Sequence, residues 1–157
     1  MAVIKVHAFD PGITTGYATG IIENGKMGVV SGQVKWNEFE LYEELKRSEP
    51  NIIIYETFTY RNNRHVKRAD NVELFPRNLI GIISMYISER AIKGNSCGVY
   101  TQSPAAGKSY WNDQLLKKNN VYKVANPHAN DAMRHLLQWY MFGSGYQYNK
   151  HGFEGLA

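Results

Sequence analysis

Four side chains of this sequence could together hold divalent cations. Asp10 and Glu56 each close an apolar run, and His128 and Asp131 lie three residues apart, just after an Asn-Pro pair. Carboxylate oxygens suit Mg²⁺ or Mn²⁺, and a neutral imidazole can bind a metal or accept a proton. Such a set can carry two ions about 4 Å apart for in-line displacement at a phosphodiester. The sequence therefore predicts these four residues as catalytic residues and metal ligands.

Each of the four also has an ordinary structural explanation. Asp10 precedes Pro11-Gly12 and could be a turn residue, His128 could be a capping or surface residue, and Asp131 a helix-start acid. An acid at the end of a buried strand is costly unless a cation meets it. It is the occurrence of all four together that favours a site.

A basic and aromatic stretch, TFTYRNNRHVKR, follows Glu56 at residues 57–68 and is predicted to be a loop. Its cations could neutralise phosphates, and its aromatic rings could stack on unpaired bases at a branch point. The alternative is an ordinary solvated loop. The residues predicted to bind DNA are Phe58, Tyr60, Arg61, Arg64, Lys67 and Arg68.

The stretch Ala106-Gly107-Lys108-Ser109 is similar to the end of a Walker A motif. Gln102 stands where the earlier glycine is required, so we expect no nucleotide cofactor. Lys108, expected at a helix start, could instead meet the scissile phosphate as a catalytic residue. It could equally be a surface lysine.

Apolar runs and turn signals predict the element order βββαβαβαα, with an Asn24-Gly25 hairpin turn and Asn126 capping the last helix. This order indicates an α/β domain over residues 1–142, with a mixed five-stranded sheet flanked by helices, and a C-terminal tail over 143–157. Sites of parallel sheets lie at strand ends, where Asp10 and Glu56 fall. The strands are expected at residues 3–9, 16–23, 26–36, 52–56 and 97–101, and the long helix at 70–93.

Composition sets wider bounds. The chain has 157 residues, 43% of them hydrophobic, which predicts one ordered domain, and its net charge of +4 is mildly basic. One cysteine, Cys97, excludes an intrachain disulfide and suits a reducing compartment, so a cytoplasmic location is expected. No apolar run is long enough to span a membrane. The long helix is apolar on more than one face, which predicts either a dimer contact or packing on two sides.

Three motifs, FDPGITTGYA, IIIYETF and NPHANDAMRHLL, resemble in their order those of RuvC-like Holliday junction resolvases of the RNase H-like superfamily. The resemblance implies a homodimeric, Mg²⁺-dependent endonuclease that nicks two strands symmetrically at a four-way DNA junction. It implies metal ligation by Asp10, Glu56 and Asp131, and His128 stands where family members carry Asp or His. It also sets Phe58 near an aromatic that wedges into junction bases, and Lys108 near a lysine of the catalytic region.

The sequence is also compatible with other functions. The chain could be a less specific nuclease acting on flaps, forks or RNA–DNA hybrids, or a junction-binding factor without catalysis. The stretch Asp10-Pro11-Gly12-Ile13-Thr14-Thr15 also resembles the phosphate loop of sugar kinases and actin-like ATPases. Those proteins need two such domains, whereas this chain has room for one.

Overall fold

A mixed six-stranded sheet forms the centre of the computed structural model, which describes residues 2–58 and 71–156, with side chains from residue 74 onward in the second range. The strand order is β5-β4-β1-β2-β3-β6. Strands β1, β4 and β5 run parallel to one another, β2 is antiparallel to both β1 and β3, and β6 runs parallel to β3. The strands are β1 Ile4–Asp10, β2 Thr15–Glu23, β3 Lys26–Val34, β4 Ile52–Glu56, β5 Gly98–Gln102 and β6 Phe153–Gly155.

The turn between β2 and β3 confirms the predicted hairpin. Asn24 and Gly25 have φ values of 53° and 80°, so both occupy the left-handed region. A two-residue type I′ turn requires positive φ at both central positions, which Asn-Gly satisfies at low cost. The turn fixes the register from Glu23↔Lys26 to Thr15↔Val34.

The helices are α1 Glu38–Ser48, α2 Asn71–Ile92, α3 Asp113–Lys118 and α4 Pro127–Phe142. A capping box begins α1: the Asn37 side chain accepts from the Glu40 backbone N–H at 2.8 Å, and the Glu40 carboxylate accepts from the Asn37 N–H at 3.0 Å. Asn126 does precede α4, but its side-chain amide donates to the Val124 carbonyl at 2.8 Å instead of capping. The predicted capping bond is therefore wrong, although the helix begins where expected.

The two faces of the sheet carry separate cores, and strand alternation decides which face each side chain joins. Val6 and Ala8 of β1 pack in the core beneath α4, whereas Phe9 packs in the core beneath α1 and α2. Because side chains alternate along a strand, Asp10 lies on the α4 face with Val6 and Ala8. The same alternation puts Glu56 on the α4 face, since Ile52 and Ile54 also pack there.

Residues after 142 add the strand that the sequence did not predict. Ser144–Tyr148 forms a short 3₁₀ helix, and Phe153–Gly155 pairs with Met27–Val29 of β3 as β6. The Lys26 ammonium lies 2.6 Å from the Glu154 carboxylate across this pair. Among the described residues the sheet therefore has six strands instead of five, and part of the predicted tail packs against the domain. The domain boundary at residue 142 stays a prediction.

Helix α2 buries one face and exposes another. Leu79, Ile83 and Tyr86 are buried in the core with α1, while Met85 and Ile92 are 49% and 87% exposed. In the described ranges, no helix has the length and apolar character needed to cross a bilayer.

Candidate active site

Three neighbouring parallel strands, β1, β4 and β5, each end in a polar residue. Their side chains lie along one edge of the sheet, the edge formed by the carboxyl-terminal ends of these strands. Asp10 closes β1, Glu56 closes β4 and Gln102 closes β5. Glu56 and Gln102 are direct partners in the β4–β5 pair, and the β1–β4 register runs up to Phe9↔Tyr55. All three side chains lie on the face that α4 covers, so this edge gathers polar groups under one helix.

A glycine lets the start of α4 reach this edge. Gly16 pairs with Asp10 across β1 and β2, and a Cβ built on Gly16 would overlap the backbone carbonyl of His128. Any other residue would force the helix away from the sheet. Close backbone approach is therefore what brings His128 to Asp10.

Asp10 and His128 form a carboxylate–imidazole pair, with Oδ2 and Nδ1 2.9 Å apart. Asp10 is buried, whereas the His128 side chain is 44% exposed. Burial raises the pKa of Asp10 above its ordinary value; the hydrogen bond with His128 opposes this shift, and the carboxylates of Glu56 and Asp131 raise the pKa further. The predicted acids are thus near enough to repel one another.

Glu56 is paired with a second histidine, His135, which was not among the predicted site residues. His135 Nε2 lies 2.8 Å from Glu56 Oε2, and its Nδ1 lies 2.8 Å from Gln102 Oε1. A signal for it was present, because His135 follows His128 by seven residues and Asp131 by four. Those spacings put all three on one face of a helix.

Asp131 is held by two cations. Arg134 Nη1 donates to its Oδ1 at 2.7 Å, and Lys108 Nζ lies 3.4 Å from its Oδ2. Arg134 also pairs with Asp113 and donates from Nε to the Trp111 carbonyl at 2.7 Å, which fixes the guanidinium. The sequence reading missed Arg134 as well, although its i, i+3 spacing from Asp131 is typical of an ion pair on a helix.

Lys108 lies in a series of turns before α3 and not at a helix start, so that expectation is wrong. Gly107, with φ 78°, packs against α4: a Cβ there would meet the Arg134 carbonyl oxygen at 3.3 Å. This contact brings the loop to α4 and the Lys108 ammonium to Asp131. A Walker A motif would need a helix to begin at this lysine, and α3 begins only at Asp113.

The predicted DNA-binding residues fall mostly beyond what the structure describes. Phe58 is half-buried, two residues past the end of β4. The remaining five predictions stay predictions, since these residues lie outside the described ranges: Tyr60, Arg61, Arg64, Lys67 and Arg68.

The carboxylates do not form a ready-made metal cluster. Within residues 2–58 and 71–156, no three His, Cys, Asp or Glu side chains are arranged to hold an ion. Among the described residues, however, Asp10 Oδ1 and Glu56 Oε1 make no hydrogen bond to the protein. A divalent cation would also offset the burial, and the nearby carboxylates, that raise the pKa of Asp10. Carboxylate oxygens without a protein partner are the donors that a hard cation takes, so the chemistry of this donor set fits Mg²⁺ or Mn²⁺.

No protein-family model matches the chain, and no curated protein sequence matches it. Among solved structures, RuvC from T. thermophilus in complex with a Holliday junction substrate is similar, at 19% identity and a TM-score of 0.58 over 89% of this chain and 97% of that one. A second structure of Thermus thermophilus RuvC shares 19% identity, with a TM-score of 0.59 over 88% and 95%. These similarities confirm the predicted fold class, a RuvC-like mixed sheet flanked by helices.

Proposed function

We propose that the chain is a metal-dependent endonuclease that resolves four-way Holliday or other branched DNA junctions. The observation that supports this most is that Asp10 and Glu56 end neighbouring parallel strands of a RuvC-like sheet, on the face where α4 carries His128 and Asp131. The similar RuvC structure is a complex with a Holliday junction substrate, which supports the same class of DNA for this chain.

Asp10, Glu56, Asp131 and His128 would hold Mg²⁺ or Mn²⁺, two ions per site. Bound divalent ions supply an activated water and stabilise the charge that develops on the phosphate during hydrolysis. This requires ionised carboxylates, and the ammonium of Lys108 and the guanidinium of Arg134 lie beside the carboxylate of Asp131.

The other residues of the site would bind and orient the DNA and the ligands. His128 holds Asp10 through Nδ1, which leaves its Nε2 available to a ligand or a proton. Lys108, half-exposed beside Asp131, supplies a cation next to the scissile phosphate. Arg61, Arg64, Lys67 and Arg68 would neutralise phosphates of the junction arms, so binding should weaken steeply with salt.

A junction-cleavage assay tests the proposal. A labelled four-way junction, a flap, a linear duplex and an RNA–DNA hybrid are incubated with Mg²⁺, Mn²⁺ or EDTA. We expect symmetric nicks in the junction with either metal and no cleavage in EDTA. Equal cleavage of flap or hybrid would indicate a less specific nuclease, and binding without cleavage would indicate a non-catalytic junction-binding factor.

Symmetric nicking needs two active sites, and we propose that α2 supplies the contact of a homodimer. Met85 and Ile92 lie seven residues apart, so they share one face of α2, and both are exposed. Light scattering of the wild type and of a Met85→Glu, Ile92→Glu variant tests this. The wild type should have the mass of a dimer and the variant that of a monomer, which should nick only one strand.

A further inference from the structure

We propose that Gln102 and His135 are positioning residues that fix the orientation of Glu56. This inference rests on the proposed role of Glu56 as a metal ligand. The side chains form a chain of hydrogen bonds that begins on β5, passes through the buried face of α4 and ends on the carboxylate at the end of β4.

The amide of Gln102 has one orientation that satisfies its contacts. Its Nε2 donates to the backbone carbonyl of His135 at 3.0 Å, so its Oε1 faces His135 Nδ1 at 2.8 Å. An amide oxygen can only accept, which means that Nδ1 carries a hydrogen and donates it. One side chain thus contacts His135 twice, which keeps a hydrogen on Nδ1 and fixes the rotation of the ring.

The orientation of the ring is passed on to Glu56. His135 Nε2 lies 2.8 Å from Glu56 Oε2, and the histidine side chain is only 1% exposed. A contact of this length has a hydrogen between the two atoms, whichever of them carries it. Oε2 is therefore fixed, and Oε1 is the oxygen left for a metal. Groups that orient a ligand in this way typically change metal affinity 10- to 100-fold when removed.

The backbone sets up this arrangement in advance. Gln102 is the direct partner of Glu56 in the sheet, and its carbonyl accepts from the Thr57 N–H at 2.8 Å. Helix α4 carries both Asp131 and His135, four residues apart. The same helix therefore presents one carboxylate to the site and orients another.

The test is Gln102→Met, which removes both amide contacts but keeps the length of a half-buried side chain. Mn²⁺ binding to the full chain without DNA is measured by electron paramagnetic resonance of the free ion. We expect about tenfold weaker binding. Gln114→Met, at an exposed position on α3, is the matched control and should bind Mn²⁺ like the wild type.

Two further readouts separate positioning from a general loss of structure. In a Glu56→Gln background, Gln102→Met should weaken Mn²⁺ binding no further, because its effect passes through Glu56. In ¹⁵N NMR spectra, the wild type should show a slowly exchanging His135 Nδ1–H, which Gln102→Met should lose while its thermal midpoint stays near that of the wild type.

The outcomes are distinct. Unchanged Mn²⁺ affinity in Gln102→Met, or an equal loss in the Glu56→Gln background, would overturn the positioning role and leave the proposed nuclease standing. A wild type that binds no Mn²⁺ at millimolar concentration would refute the metal site itself, and the positioning role with it.

Discussion

Two carboxylate–imidazole pairs lie side by side at the same edge of the sheet, and they differ mainly in their access to water. Asp10 and His128 are 2.9 Å apart, and Glu56 and His135 are 2.8 Å apart. His128 is 44% exposed, however, and His135 is 1% exposed. The open pair can exchange its internal contact for a ligand, whereas the buried pair cannot be broken without leaving polar groups unpaired.

The pairs also differ in what holds them. The first depends on the backbone, because Gly16 lets the start of α4 approach the sheet. The second depends on a side chain, since Gln102 fixes the ring of His135. Carboxylate–imidazole contacts of similar length therefore have two different structural causes, a close backbone approach and a side-chain hydrogen bond. Variants can remove each cause separately.

The largest effect on cleavage is expected from Asp10→Asn, which removes the carboxylate of the open pair. Loss of a metal ligand costs several kcal/mol of transition-state stabilisation, so junction cleavage should fall about a thousandfold or more. Junction binding, measured by gel shift without metal, should be largely retained.

Glu23→Gln, at an exposed carboxylate far along β2, is the control and should cleave normally. Because burial raises the pKa of Asp10, the folded state disfavours its charge, and Asp10→Asn should be at least as stable as the wild type at pH 7. Full cleavage by Asp10→Asn would remove the metal mechanism.

Gly16→Ala should have the next largest effect on cleavage, because it prevents the close approach of α4 to the sheet. The new Cβ would push the start of α4 outward and separate His128 from Asp10. A misplacement of about 1 Å can cost roughly a hundredfold in rate, which a junction-cleavage time course would measure.

Gly81→Ala is the matched control for that variant. Gly81 lies within α2, where a Cβ would meet nothing within 4 Å. Because Gly81 lies one turn before Met85, on the face of α2 proposed as the dimer contact, the mass of this variant is first checked by light scattering. As a dimer it should cleave normally and gain up to about 1 kcal/mol in helix stability. If both glycine variants kept full activity, the close approach of α4 would not matter for the site.

His128→Asn should reduce cleavage by about tenfold, less than Asp10→Asn, because the amide oxygen of Asn can still bind a hard cation in place of the imidazole. Its free energy of unfolding should change by less than about 0.5 kcal/mol, because the side chain is half-exposed. Urea unfolding checks this alongside His135→Asn, which removes a buried ring and should be clearly less stable. Equal stability of the two variants would contradict the contrast between the pairs.

The smallest effect on cleavage, none, is expected from His7→Leu, which tests a buried histidine on the opposite face of the sheet. Burial, together with the positive charges of Lys5 and Arg47, lowers the pKa of His7 to about 4. The unfolded chain binds this proton below about pH 6.5 and the folded chain only below about pH 4, so stability is lost as the pH falls through that window.

Between pH 7 and pH 5 this difference in proton binding lowers the free energy of unfolding by about 2 kcal/mol. Urea unfolding at both pH values would detect the change. His7→Leu should lose less stability than the wild type over the same interval. An identical loss in both proteins would show that other groups carry the pH dependence.

Much of the fold follows from local sequence patterns. An apolar run closed by an acid predicted β4 over residues 52–56, and Asn24-Gly25 predicted the hairpin that sets the register of β2 and β3. These features are short-range, so single residues decide them. The meeting of Asp10 with His128 also followed from placing each at the correct end of its element, although their roles stay predictions.

What the sequence did not show depends on distant partners. Strand β6 has three residues, too few for a recognisable alternation, and its Glu154 pairs with Lys26 from the other end of the chain. In the sequence, Gln102 was considered only because it occupies the position where a Walker A motif requires a glycine. Its contact with His135 required knowing that β5 lies beside β4 and beneath α4, which no local pattern encodes.

The placement of β6 has a practical consequence for handling the protein. The backbone N–H groups of Lys150 and His151 both donate to the Gly25 carbonyl, and that of Leu156 donates to the Val29 carbonyl. Residues 150–156 therefore cover the outer edge of β3. Removing residues after 149 would expose unpaired backbone there, and such an edge invites other chains to add to it. We expect shortened versions to aggregate more readily than the full chain.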